Sequence, residues 1–109
     1  MNVTMNLEGT YKVKKVTVSY LENGDNWIFG PSAVAVMTSV DGNTFTPVYS
    51  YDLPDAWNAS SIIKKIAATF PVTDARFIKV IMYNRGTCPQ GSACAGKKAW
   101  LFVDEVTVE

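Results

Sequence analysis

Apolar residues recur at every second position along most of the chain. Val3, Met5 and Leu7 alternate with Asn2, Thr4 and Asn6, and Val16, Val18 and Tyr20 alternate with Lys15, Thr17 and Ser19. A period of two puts successive side chains on opposite faces, so both runs predict half-buried β-strands. Glu8-Gly9-Thr10 predicts the turn between them, and Glu22-Asn23-Gly24-Asp25-Asn26 predicts a loop of turn-forming residues. The run 33–39 is apolar on both faces, as a central strand should be. Asp41-Gly42 between two strand-like runs is a hairpin signal, leading into a strand over 44–51. The stretch 53–60, with Pro54 and Trp57, reads as irregular. For 61–70 the residues Ile62, Ile63, Ile66 and Ala67 would also suit a helical stripe, but Pro71 and the β-rich flanks favour a strand. A strand over 77–83, a long loop over 84–97, and strands over 98–103 and 105–109 complete the pattern, with Trp100, Phe102, Val106 and Val108 as the last apolar positions. About seven short strands separated by turn signals predict an all-β antiparallel sandwich or jelly roll. There is no internal repeat and no linker, so 1–109 reads as one domain.

Composition narrows the function more than the fold. Of 109 residues, 48% are hydrophobic, enough for an ordinary core. Ten basic and ten acidic residues cancel, leaving no broad field to attract nucleic acid or anionic lipid. No apolar run is long enough for a membrane-spanning helix, so membrane insertion is not expected. Histidine is absent, which removes the usual general base near neutral pH and any Ser-His-Asp or Cys-His pair. The expectation is a non-catalytic domain.

The order of several motifs resembles a known family. VTVSYLENGDNWIFGPSAVAVMTSVDGNTF over 16–45, ARFIKV over 75–80 and GKKAWLFVDEVTV over 96–108 together are similar to the discoidin-like domain, also called the coagulation-factor C-type or galactose-binding-like domain. The likeness is greatest to the version at the C-terminus of bacterial family 20 glycoside hydrolases, the β-N-acetylhexosaminidases. That resemblance implies an eight-stranded jelly roll whose loops at one end bind sugars or pack on a catalytic domain. Such domains carry a further N-terminal strand and an aromatic-bearing loop before the segment matching 3–7. The expectation is therefore an N-terminally truncated fragment of a larger protein, with one bare edge and a tendency to edge-strand dimerisation.

Three constellations are candidates for function. Loop 22–27 offers Asn23, Asp25 and Trp27, and the long loop offers Asn84, Arg85 and Gln90. Amide, carboxylate and guanidinium groups suit hydroxyl pairs, and an aromatic face suits the apolar side of a sugar ring. Against this, Asn and Asp are default loop residues, and the triplet Trp27-Ile28-Phe29 suits the core. Trp57, with Tyr49 and Tyr51, is a further aromatic group, able to stack a sugar, contact a partner domain or fill a satellite core; Trp100 reads as core. Cys88 and Cys94, with five residues between them, suit a disulfide stapling the loop, the alternative being two free thiols. A disulfide would imply a periplasmic, cell-surface or secreted location. Asp104-Glu105 would project to opposite faces of a strand and pair with Arg76 or a lysine. In calcium-binding members of the resembled family, a Glu at the position of Glu105 helps hold the ion, with the other ligands on the N-terminal segment. Glu105 is thus a weak calcium candidate, and no cofactor is expected beyond possible calcium in a full-length domain.

The leading reading is a non-catalytic accessory domain of a secreted or periplasmic glycoside hydrolase, of β-N-acetylhexosaminidase type. Its role would be carbohydrate binding or bracing the catalytic domain, with the balance slightly toward bracing. The partners would be glycans or that catalytic domain. A stand-alone adhesion or protein-interaction module is the alternative, and a complete small enzyme is disfavoured by the residue inventory.

Overall fold

A computed structural model describes residues 1–53, 57, 60–92 and 94–109. Most of the irregular stretch 53–60, Pro54 included, lies outside the described residues. Among the described residues, five strands form one antiparallel sheet: β1 (Asn2–Glu22), β2 (Ala33–Ser39), β3 (Thr46–Asp52), β4 (Ile62–Tyr83) and β5 (Phe102–Val108), in the order β3-β2-β4-β1-β5.

β1 and β4 each absorb two of the expected short strands. They pair along nearly their whole length, from Asn2 opposite Ile81 to Glu22 opposite Ile62. A straight strand of 21 residues would span roughly 70 Å. The molecule measures 46 × 22 × 20 Å, so the ribbon must fold back on itself. The folds fall where the register slips, between Asn6 and Tyr11 and between Val13 and Lys15. Glu8-Gly9-Thr10 is therefore a bend inside β1 rather than a turn ending it, with Glu8 at φ 62° in the left-handed region. Pro71 likewise does not end a strand. It sits in β4 where no β1 partner is paired and β2 has not yet begun, so its missing N–H leaves no ladder bond broken.

Folding the ribbon converts one sheet into two layers. The first holds the β4 start, the β1 end and β5; the second holds β3, β2, the β4 end and the β1 start. The inward positions of both layers join in one core, built on Val16, Val18 and Tyr20 from β1, Ile66, Ala68, Ile78, Val80 and Met82 from β4, and Val34 and Val36 from β2. The antiparallel sandwich expected from the alternation is thus present.

The β2–β3 hairpin turns at Asp41-Gly42, where Gly42 takes φ 81°. Asp41 Oδ1 accepts the backbone N–H groups of Asn43 (2.8 Å) and Thr44 (2.9 Å) and the Ser39 hydroxyl (2.9 Å). The Thr44 and Asn43 amides, then the Ser39 hydroxyl, hold its carboxyl below the ordinary carboxylate value.

One register detail has large effects on β5. Ser19 faces Glu105 while Tyr20 faces Val103, so Asp104 is an extra, bulged residue. Beyond the bulge Val106 and Val108 pack inward, but before it the inward residues are Leu101 and Val103. Trp100 and Phe102 consequently face out, 54% and 50% exposed, which corrects the assignment of Trp100 to the core. The bulge also leaves Asp104 and Glu105 both exposed, and neither takes part in an ion pair among the described residues. Arg76 lies instead over the Phe77 ring at 5.6 Å.

Candidate functional site

Residues 23–32, 84–92 and 94–101 gather at one end of the sandwich with Leu53, Trp57 and Ser61. Hydrogen bonds between loops tie them together. Asn23 Nδ2 donates to Ser61 Oγ at 2.9 Å, Leu53 N–H to Ser32 O at 2.9 Å, and Arg85 Nη2 to Pro31 O at 3.3 Å.

The first loop is a tight excursion. Asn23 and Ile28 exchange backbone hydrogen bonds (2.8 and 3.0 Å) around a single 3-10 turn, Gly24–Asn26. Trp27 closes it at φ 64°, an uncommon conformation for a bulky residue. Its side chain is 39% exposed, whereas Phe29, two residues on, is 1% exposed. Of the apolar triplet, Phe29 therefore supplies the core and Trp27 the surface. Trp100 N–H donates to Trp27 O at 2.9 Å, and Phe29 N–H to Trp100 O at 3.0 Å. These bonds fix two exposed tryptophans on adjacent segments of backbone.

The long loop is built on Cys88 and Cys94, which form a disulfide with Cα atoms 5.7 Å apart. Both sulfurs are buried with Phe29 and Ala99 in a small second core, and Trp57 stands edge-on to Phe29 at 5.8 Å between ring centroids. Trp57 thus joins the disulfide cluster. Tyr49 packs on the main core and Tyr51 is exposed, so the structure does not bring these three aromatics together as a group. Closing so short a loop stabilises by about 2 kcal/mol in the chain-entropy estimate. Reduction should therefore lower the thermal midpoint by several degrees and loosen the end loops, read by thermal denaturation with and without dithiothreitol. An unchanged midpoint would show that the small core holds without the bond.

The remaining expected residues divide. Arg85 and Gln90 line a cleft of about 370 Å³ with Thr87, Cys88 and Pro89. Asn84 spends its Oδ1 on the Gly86 N–H at 2.7 Å, a local turn contact. Asp25 is exposed on the 3-10 turn. Asn23 Oδ1 is buried and has no hydrogen-bond partner among the described residues. Glu105 lies mid-strand opposite Ser19, away from this end, and the described residues contain no group of three or more His, Cys, Asp or Glu able to hold a metal.

Beneath the loops lies a polar cluster the sequence pattern did not reveal. Glu22 is 2% exposed and accepts from Lys64 Nζ at 3.0 Å. Burial, then the Glu22 carboxylate, pushes the Tyr20 hydroxyl above its ordinary pKa, with Arg85 opposing. Gly30 packs against both groups. A Cβ there would lie 2.6 Å from Tyr20 Cε2 and 3.2 Å from Glu22 Oε2, so only glycine lets this loop close over them.

Outside the loops, the outward face of the first layer carries an apolar row. Leu21 faces Ile63 on one side and Phe102 on the other, and Ile63 is 51% exposed. Trp100 continues the row toward Trp27.

No protein-family model and no curated protein matches the sequence. Solved structures do. CpGH89CBM32-5 from Clostridium perfringens, in complex with GalNAc-β-1,3-galactose, is 25% identical over 95% of this chain and 65% of its own, with a TM-score of 0.51. CBM32-1 from a family 31 glycoside hydrolase of Clostridium perfringens is 20% identical over 75% of this chain and 57% of its own, also at 0.51. The C-terminal domain of a chitobiase from Bacteroides fragilis is 14% identical over 99% of this chain and 64% of its own, again at 0.51. The chain thus spans between 57% and 65% of the length of these domains. With its folded antiparallel sheet, its loops gathered at one end and these likenesses, the chain has a discoidin-like β-sandwich fold, similar to the carbohydrate-binding domains of glycoside hydrolases.

Proposed function

We propose that this chain is a non-catalytic accessory domain of a glycoside hydrolase and binds a glycan at its loop end. One observation carries the reading: Trp27 and Trp100 are exposed and locked together by backbone hydrogen bonds, at the same end as the cleft lined by Arg85 and Gln90. An aromatic face covers the apolar side of a pyranose ring, while a guanidinium and an amide bind its hydroxyls. The likeness to a domain bound to GalNAc-β-1,3-galactose supports a galactose or N-acetylgalactosamine ligand. The parent enzyme, in this reading, is a β-N-acetylhexosaminidase of which the chain is one part. The disulfide supports a periplasmic, cell-surface or secreted location, because such bonds persist in oxidising compartments.

Calorimetric titration with galactose, N-acetylglucosamine and N-acetylgalactosamine tests the proposal. Binding should be measurable for at least one sugar, and Trp27→Ala, Trp100→Ala and Arg85→Ala should each weaken it roughly tenfold. No heat with any sugar, and no signal on a glycan array, would sink it. Hydrolysis of a chromogenic hexosaminide by the chain alone would overturn the non-catalytic assignment.

A second role rests on a separate observation. The row Phe102–Leu21–Ile63 is an exposed apolar strip crossing three strands, suited to bracing against a neighbouring domain.

A further inference from the structure

The outward face of the first layer is ordered in rows, each made of directly opposed residues from β4, β1 and β5. Nearest the loop end stands Ile63–Leu21–Phe102, apolar throughout, with both outer members about half exposed. The next row is Lys65–Ser19–Glu105. Its ends are oppositely charged and exposed, and neither takes part in an ion pair among the described residues. Its centre, Ser19, is small and buried, and the row after it is Ala67–Thr17–Thr107. Small residues along the middle leave the face flat enough for another sheet to approach to about 10 Å.

We infer that this face packs on the same face of a second copy of the chain, about a two-fold axis running parallel to β1. The inference rests on the reading of the apolar row as an interaction surface and names its occupant. The charge pattern selects the axis. An axis along β1 lays each row on itself in reverse order, so Ile63 meets Phe102 of the second copy, Leu21 meets Leu21, and Lys65 meets Glu105 twice over. An axis across the strands does not achieve both matches. Through Ser19 it sets like charges together, and through Leu21 it leaves Lys65 and Glu105 over the loops of the other copy.

At the far end of the face Lys15 lies on the axis opposite its own copy, with Glu109 beside it in each chain to offset the repulsion. Because the axis follows the strands, both loop ends point the same way, and the two sugar sites proposed above stand side by side. Three strands and four rows span roughly 15 × 25 Å, less than the ~800 Å² per partner of a standard interface, so the expected Kd is on the order of 10–100 µM.

Sedimentation equilibrium of the whole chain, from about 5 to 500 µM, tests the inference. Lys65→Glu and Glu105→Lys change exposed side chains, so each should keep the thermal midpoint, yet each should weaken dimerisation roughly tenfold. Mixed in equal amounts, the two variants should associate again, because every 65–105 contact in the mixed dimer joins opposite charges. Phe102→Asp should leave only monomer. A wild-type chain that stays monomeric throughout would overturn the inference alone, leaving the row free for a different domain. A dimer that Phe102→Asp leaves intact would overturn it and also remove the row as an interface in the bracing role. A dimer broken by Phe102→Asp, but with no rescue on mixing the charge variants, would overturn the two-fold packing.

Discussion

Phe29→Ala is expected to cost about 3–5 kcal/mol, the usual range for emptying a large aromatic site in a core. Phe29 is 1% exposed and is the largest fully buried side chain in the small cluster that also holds the disulfide and Ala99, with Trp57 packed against it. The backbone around it carries the loop end: its N–H reaches Trp100, and Gly30 beyond it closes on Tyr20 and Glu22. Loss of the ring should therefore show twice. Urea denaturation should give a lower midpoint at unchanged slope, and sugar titration should weaken, because Trp27 and Trp100 lose their support. A cost under about 1 kcal/mol would mean that the loop end collapses to fill the space, and that the disulfide rather than the ring organises it.

Ile78→Ala should cost a comparable amount, about 2–5 kcal/mol, but spread differently. Ile78 is fully buried in β4, with Met5 of β1 on one side and Thr38 of β2 on the other. The cavity would open where the second layer is widest. A domain of this size has about 5–15 kcal/mol of stability in all, so this one change can remove much of it. Its effect on sugar affinity, measured well below the new midpoint, should be small. If Ile78→Ala weakened binding as strongly as Phe29→Ala, the loop end would not be the separate unit described above.

The contrast between these sites reflects what was legible in the sequence. Period-two alternation identified the inward residues Val16, Val18 and Tyr20 correctly, because one face of each layer is buried and a slip of one position would expose the whole set. Asp41-Gly42 located the hairpin because a positive φ at Gly42 is a local requirement. Continuity was not legible. The sequence pattern at 8–10 and at Pro71 is the same for a turn as for a bend within a paired ribbon, and the difference lies in pairing partners some 60 residues away, such as Lys12 with Asp74. Nor was the bulge at Asp104, which reverses the facing of Trp100 and Phe102 without any marker in composition. At the loop end, Asn23, Trp27, Arg85 and Gln90 could be named from residue type, but Trp100 could not. The buried Glu22–Lys64 pair joins residues 42 positions apart, with no signal in either neighbourhood.

The folded ribbon also governs when this domain can form. Glu22 pairs with Ile62 and Asn2 with Ile81, so no bond of the β1–β4 ladder joins residues fewer than 40 positions apart. Such non-local pairing is slow, in the millisecond-to-second range, while the β2–β3 hairpin can close early on its own. A ribosome adding about 5–20 residues per second makes β1 several seconds before its partner exists. For that interval the alternating valines of 13–18 stand unpaired, and the window between their synthesis and that of β4 is when this chain is most open to misassociation.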